Sequence, residues 1–268
     1  MYNKTNVIET LEKMRVIEMP IMTKATEPIK GYKAIVRESD NELIRVVSDN
    51  YKVYQNLDAF NEVVTALDIA NIKFDISKLA LNKSAGRNTM HLSLSLSDIS
   101  MDIDGHLTTA SIEVFNSNDG TLAFQKMLGV FRLICTNGAI IGENLFKYKR
   151  RHTQFFNVPD YAHLLPEISN DFETFMHLVK KSKSIKMTDS MKLELIKGGF
   201  PEKIIKDLSY AYEKYAINHN EVINDYNTLW AYYSVLTNWI TNSVNDKNIV
   251  RANTFNNTLM KVMEIARN

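Results

Sequence analysis

From Tyr32 the apolar positions recur with a period of two. The runs YKAIVRES (32–39) and ELIRVVSDNYKVYQ (42–55) are rich in β-branched and aromatic residues and flank the turn cluster Ser39-Asp40-Asn41, so they predict a β-hairpin. The period then changes. In LDAFNEVVTALDIA (57–70), Leu57, Phe60, Val63, Val64 and Leu67 fall at helical spacing, with Asn56 or Asp58 available as N-cap. Alternation returns in KFDISKLAL (73–81), TMHLSLSLS (89–97) and LTTASIEVF (107–115), which predict three more strands. In the second of these, Leu92, Leu94 and Leu96 take one face, and His91, Ser93, Ser95 and Ser97 take the other, a face for water or a ligand. LNKSAGRN (81–88) reads as a flexible tip and SDISMDIDGH (97–106) as a connection.

Between Thr121 and Thr136, residues Ala123, Phe124, Met127, Leu128, Val130, Phe131, Ile134 and Cys135 fall on one broad helical face, opposite Gln125, Lys126, Gly129 and Arg132. That spacing predicts a helix stopped at Asn137-Gly138. Beyond Pro159 the pattern is helical throughout, over SNDFETFMHLVKKSK, TDSMKLELIKGG, FPEKIIKDLSYAYEKYA, DYNTLWAYYSVLTNWITNSV and FNNTLMKVMEIAR, with Gly198-Gly199 and Pro201 separating two helices. The reading is an α+β chain: an N-terminal arm over 1–30, where Pro20 and Pro28 interrupt a short helical pattern, an α+β core over 31–158, and a helical half over 159–268.

Composition narrows the classes. With 268 residues, 45% hydrophobic and 24% charged, the chain has the make-up of a globular protein with a large core. A formal net charge of +1 means that nucleic acid could be held only by a local patch. One cysteine allows no internal disulfide, and no window approaches the roughly 18 consecutive apolar residues of a membrane span. The N-terminal segment lacks a signal-type apolar core, so the expected location is cytoplasmic.

No catalytic constellation, metal motif or cofactor loop stands out. The six histidines have no metal-type pairing at helical spacing, and Cys135 with His152 is not a constrained pair. Asn116-Ser117-Asn118-Asp119-Gly120 reads as a turn and helix cap, or as an anion site at a helix N-terminus. Trp230, Tyr232, Tyr233 and Trp239 read as core. The one charge anomaly is LFKYKRRHTQFF (145–156), where Lys147, Lys149, Arg150 and Arg151 interleave with aromatic rings. Cations that track phosphates beside rings that stack bases suit single-stranded nucleic acid; a solvated connector is the structural alternative.

Several segments carry a resemblance: LIRVVSDNYKVYQN, FNSNDGTLAF, the Arg132, Cys135 and Asn137 spacing, Arg151-His152-Thr153 and TLWAYYSVLTNWIT. With these in order over nearly the whole chain, the sequence resembles a phage- and plasmid-borne family of unassigned function, the domain of unknown function 932 type. The family often has a histidine where Asn118 stands. More distantly, the order helix, three strands, helix is similar to the core of single-strand annealing proteins of the RecT, Redβ and Erf kind. That resemblance implies a homo-oligomer binding single-stranded DNA, or RNA, with Lys83, Arg87, Lys126, Arg132, Lys147, Tyr148, Lys149, Arg150 and Arg151 as contacts. It is fold-level analogy. Two alternatives remain open: a mobile-element protein that binds and modulates a host protein, and a metal-dependent nuclease or hydrolase using Asp119, Glu113 or His152.

Overall fold

The computed structural model describes residues 2–103, 106–132, 137–140, 147–153, 165–214, 225–244 and 249–267. The chain is α+β, as its periodicities predict. A small antiparallel sheet is built from β1 (Val16–Met22), β2 (Pro28–Arg37) and β3 (Glu42–Ser48), in that order. A larger antiparallel sheet follows in the order β4 (Phe74–Asn82), β5 (Thr89–Ile103), β6 (His106–Ser117), β7 (Phe124–Arg132) and β8 (Asn137–Ile140). β9 (Lys147–Arg150) pairs with the first half of β7 while β8 pairs with the second.

Residues 1–30 are not an arm outside the core. They form α1 (Lys4–Glu12) and β1, and Val7 and Leu11, one helical turn apart, are each 1% exposed in the main apolar cluster. The two prolines that interrupt the pattern stand where a strand tolerates them: Pro20 on an edge strand at a register shift, Pro28 at the first position of β2. The β2–β3 hairpin turns through Asn41 in the left-handed region, at φ 55. α2 (Asn56–Ile69) buries Ala59, Phe60, Val63 and Leu67 as its spacing requires, although Gln55 is its N-cap.

The Leu92, Leu94, Leu96 face of β5 and the Ala110, Ile112, Val114 face of β6 belong to the same apolar cluster as α2 and the later helices. Those helices are α3 (Leu165–Ser182), α4 (Asp189–Lys197), α5 (Glu202–Lys206), α6 (Leu208–Lys214), α7 (Leu229–Ser243) and α8 (Ile249–Met263). α3 lies against β7, α7 and α8 against β8, and α8 against β5. The composition change near residue 158 falls outside the described residues. Tyr232, Tyr233 and Trp239 are buried and Trp230 is half-buried against Tyr233, as expected of core.

The main correction concerns the segment predicted as a helix over Thr121–Thr136. Phe124–Arg132 is strand β7, hydrogen-bonded to β6 on one side and to β8 and β9 on the other. The order after α2 is therefore four strands in succession, not three strands and a helix. Cys135 lies outside the described residues.

α4 ends at Gly198, where a Cβ would stand 2.2 Å from Thr258 Cγ2 and 2.8 Å from Thr258 Cβ on α8. Gly198→Ala should overpack this crossing and cost about 1–3 kcal/mol. Denaturant unfolding checks it, with Thr258→Ala, which removes two of the three atoms in the way, expected to recover part of the loss.

Candidate functional site

The strand register brings three separate connections to one end of the larger sheet. Asn82 pairs with Thr89, Thr89 with Ser117, Phe115 with Gln125, and Phe124 with Arg150. The 83–88 loop, the 117–123 turn and the exit of β9 thus meet. No helix starts at Thr121, so residues 116–120 are the end of β6 and a turn, and neither the helix cap nor its alternative, an anion site at a helix N-terminus, is formed.

Asp119 organises the turn. It is 1% exposed, and its Oδ1 accepts from the Thr121 N–H (2.9 Å) and hydroxyl (2.5 Å), while Oδ2 accepts from Asn88 N–H (3.2 Å) and lies 3.9 Å from Arg87 Nη1. Arg45, from the small sheet, donates to the Asp119 carbonyl at 2.6 Å. Gly120 has φ 73, so the backbone calls for glycine there, while a Cβ would only touch the Arg45 guanidinium in ordinary contact at 3.4 Å. The 83–88 loop, expected to be flexible, is pinned by the same small sheet: Gly86 N–H donates to Glu42 at 3.2 Å, and the Arg87 carbonyl accepts from Arg37 at 3.1 Å.

His152 and Tyr51 close the turn from the other side. Their rings stack at 4.9 Å and 11°, and the Tyr51 hydroxyl donates to the Ser117 carbonyl. His152 Nδ1 donates to the Lys52 carbonyl at 2.9 Å, since a carbonyl only accepts, and Lys52 N–H donates back to the His152 carbonyl. Burial holds the His152 pKa below its ordinary value, against the opposing pull of that hydrogen bond and the Asp119 charge. Burial, with the Asp119 charge second, pushes the Tyr51 phenol well above its ordinary value. Behind the turn runs a buried amide relay. Asn116 donates to Tyr54 O (2.7 Å) and Asn56 Oδ1 (2.9 Å), Asn56 to Asn88 Oδ1 (3.1 Å), and Asn88 to Met14 O (2.8 Å). The relay joins the turn after α1, the start of α2, the loop before β5 and the end of β6 through groups that would otherwise be buried without partners.

Over this frame stand cations. Lys83, Arg87, Lys149 and Arg151 are exposed, and Arg150 is half-exposed with its guanidinium 5.7 Å from the Tyr148 ring. Two expected contact segments, far apart in sequence, therefore share one end of the sheet. Exposed Arg45 and Lys52 join them; neither stands in a basic run, so no sequence signal singled them out.

Other expected contacts do not belong. Lys126 is 1% exposed, opposite Val114 and Tyr148 in the ladder and so on the apolar face of the sheet. It pairs with Glu62 of α2, which also accepts from the Tyr54 hydroxyl, and its ammonium lies 5.0 Å from the Phe124 ring. Burial pushes its pKa down to about 6. It cannot meet a phosphate from there. Tyr148 is half-buried, edge-on to Phe124, and is part of the packing and not a stacking platform. Arg132 ends β7, opposite Asn137 and Thr108, eight residues or about 26 Å of strand from the turn. Lys147 opens β9, pairing with Met127, and its side chain lies outside what the structure describes.

Over His91, Ser93 and Ser95 the polar face of β5 is buried and not wetted, and only Ser97 of the four is exposed. His91 Nε2 lies 2.6 Å from Glu113 Oε2, while Ser93 and Ser111 each donate to Oε1 at 2.7 Å; Ser95 and Thr109 bond at 2.8 Å. His91 stacks on Phe115 at 4.2 Å. Burial raises the Glu113 pKa, but the His91 hydrogen bond and charge and the two hydroxyls outweigh it, leaving the carboxyl below its ordinary value. Glu113 and Asp119 each have their own donors in separate networks, so the two carboxylates do not share one site. Among the described residues no group of three or more His, Cys, Asp or Glu side chains is placed to hold a metal ion, and no helix is long and apolar enough to cross a membrane.

Fold and site together define an antiparallel α+β protein whose sheet ends in a polar turn under a cationic rim. A family model described as a domain of unknown function, DUF932, matches residues 43–263, and the chain belongs to that family. Comparison with curated proteins and with solved structures gave no match.

Proposed function

We propose that this protein binds single-stranded nucleic acid, DNA in the first instance, without bond chemistry of its own, as a homo-oligomer in the cytoplasm of a bacterial host. The observation that supports this is the meeting of Lys83 and Arg87 with Lys149, Arg150 and Arg151 at one end of the larger sheet. With a net charge of only +1, a clustered set of cations is what could hold a phosphate backbone. Strand annealing is the activity that suits such a site, because it requires a neutralised backbone and accessible bases but no reacting group. The order of elements does not support annealing as the sequence suggested, since the last element of that order is strand β7.

Fluorescence anisotropy with a labelled single-stranded oligonucleotide tests the proposal. Affinity should fall with salt at a log–log slope near roughly −0.7 per phosphate contacted. A variant with Lys83, Arg87, Lys149 and Arg151 all changed to alanine should lose at least about tenfold in affinity and show a shallower slope. Undiminished binding by that variant would remove the site. An absence of binding by the native protein even at low salt would remove the function.

A second reading has its own observation. On the small sheet, Met19, Tyr32, Leu43 and Val46 are 44–56% exposed, and Met19 and Val46 both face Ala34 across the ladder. An outward apolar face of this kind suits a protein partner. A host protein that co-purifies stably, is lost on Tyr32→Glu with Val46→Lys, and is accompanied by no oligonucleotide binding would favour it.

A further inference from the structure

Beneath the cationic rim, the 117–123 turn holds a carboxamide without partners. Asn118 is 0% exposed, and neither its Oδ1 nor its Nδ2 makes a hydrogen bond. Exchanging the two ends of the amide supplies no partner, and at this burial water does not reach it. Among the described residues it is the one buried carboxamide with both ends left over. Two residues earlier, Asn116 spends its Nδ2 on the Tyr54 carbonyl and Asn56 Oδ1, while its own Oδ1 accepts from nothing.

The chain on either side of Asn118 is fixed. Its backbone N–H donates to the Asn88 carbonyl at 2.9 Å, the Ser117 carbonyl accepts from Tyr51, and the Asp119 carboxylate is taken up by Thr121 and Asn88. A donor and an acceptor buried without partners cost folding free energy and are rare in native interiors. A ligand that supplies both partners recovers that cost. Phosphate alone does not, because its oxygens only accept and leave both Oδ1 atoms unanswered. What is missing is a donor beside an acceptor. The edge of adenine carries that pair, its exocyclic N6 amine and ring N7, and a carboxamide meets the two together. Exposed Lys83, Arg87, Lys149 and Arg151 stand around the same end of the sheet for the phosphates that flank such a base.

We propose that this turn reads a nucleobase with an exocyclic amine beside a ring nitrogen, adenine in the first instance, through Asn118 Oδ1 and Nδ2. The proposal rests on the nucleic-acid reading above and gives that site a base preference. Access is through Arg45, an exposed side chain of the small sheet that lies over Asp119 and Gly120 and bonds the Asp119 carbonyl. Transfer of its guanidinium to an incoming phosphate uncovers the turn.

Fluorescence anisotropy with two labelled oligonucleotides of equal length, one all thymine and one with adenines interspersed, is the test. It is run on the native protein, on Asn118→Ala and on Asn118→Leu, which keeps the branched shape. The native protein should favour the adenine-bearing strand about tenfold, as one bidentate amide–base pair gives. Both variants should bind the two strands alike, with thymine-strand affinity and salt slope unchanged. They lose no hydrogen bond, and circular dichroism verifies that they are folded. Equal affinity of the native protein for both strands, or a preference that persists in the variants, would overturn the proposal. Loss of both strands by a folded variant would do so too, making Asn118 a determinant of the turn's shape and not a reader of the base. If the native protein binds neither strand, the nucleic-acid reading falls, and equilibrium dialysis with adenosine and thymidine monophosphates decides the base site alone. Selective retention of the adenosine nucleotide supports it; equal or no retention overturns it.

Discussion

Glu113→Ala should destabilise the protein by about 3–5 kcal/mol, because it removes the carboxylate from a buried pair and leaves its partners unanswered. Glu113 is 2% exposed and accepts from Ser93 and Ser111 while facing His91, whose side chain is 10% exposed. None of those donors can turn to bulk water without opening the sheet. Glu113→Gln keeps the shape and one acceptor and should cost less. The two variants also separate by pH. Since the folded-state carboxyl titrates below its ordinary value, the unfolded chain takes up a proton first as pH falls. The carboxylate's contribution is thus fully present above about pH 4.5 and is lost as pH drops through the depressed folded value. Urea unfolding at neutral pH and stepwise down to pH 3 should show the gap between native protein and Glu113→Gln closing in that window. A gap unchanged down to pH 3 would mean that Glu113 does not carry its charge inside the sheet.

Elements whose two faces differ in polarity were legible, whether or not the polar face is wetted. The β2–β3 hairpin, α2, and the cores of β4, β5 and β6 follow their alternation or helical spacing to within a few residues. Two kinds of element were not. β7 is hydrogen-bonded on both sides, and a run of nearly continuous apolar residues has no period that separates strand from helix. Gly129 was the available clue, since an interior glycine costs a helix about 1 kcal/mol relative to alanine, while here it sits in a ladder opposite Ser111 and Ile140. The end of β5 was hidden by a register shift between Leu96 and Ser100, which shifts the alternation so that SDISMDI reads as loop.

The site was legible in its chemistry and not in its placement. Charge on Lys83, Arg87 and the 149–151 run is visible in the sequence, but their meeting depends on the register of four strands. The polar side of β5 also has the same appearance whether it is wetted or closed over. The spacing of His91, Ser93 and Ser95 says that they share a face; that Glu113 and Ser111 of β6 satisfy them depends on pairing across the ladder. Lys126 carries the largest consequence of the misread period. Helical spacing sets it apart from Phe124, whereas a period of two puts both on the same side.

Lys126→Ala is accordingly expected to cost about 3–5 kcal/mol of stability, through an uncompensated Glu62 and a cavity beside Phe124 and Tyr148. A lysine serving as an exposed phosphate contact would cost less than about 0.5 kcal/mol on the same change. The pair itself need not be stabilising, since the same burial that pushes the Lys126 pKa down to about 6 works against its charged form; replacing both with apolar residues of similar volume, Lys126→Met with Glu62→Leu, should restore stability to near native or raise it by about 1–4 kcal/mol. Chemical denaturation of the two single variants and the double variant gives the coupling directly. The double variant discriminates functionally as well. Because Lys126 faces the core, oligonucleotide affinity and its salt slope should be unchanged in a folded Lys126→Met, Glu62→Leu protein. A fall in affinity there, with stability intact, would put Lys126 back among the phosphate contacts and require β7 to open when nucleic acid binds.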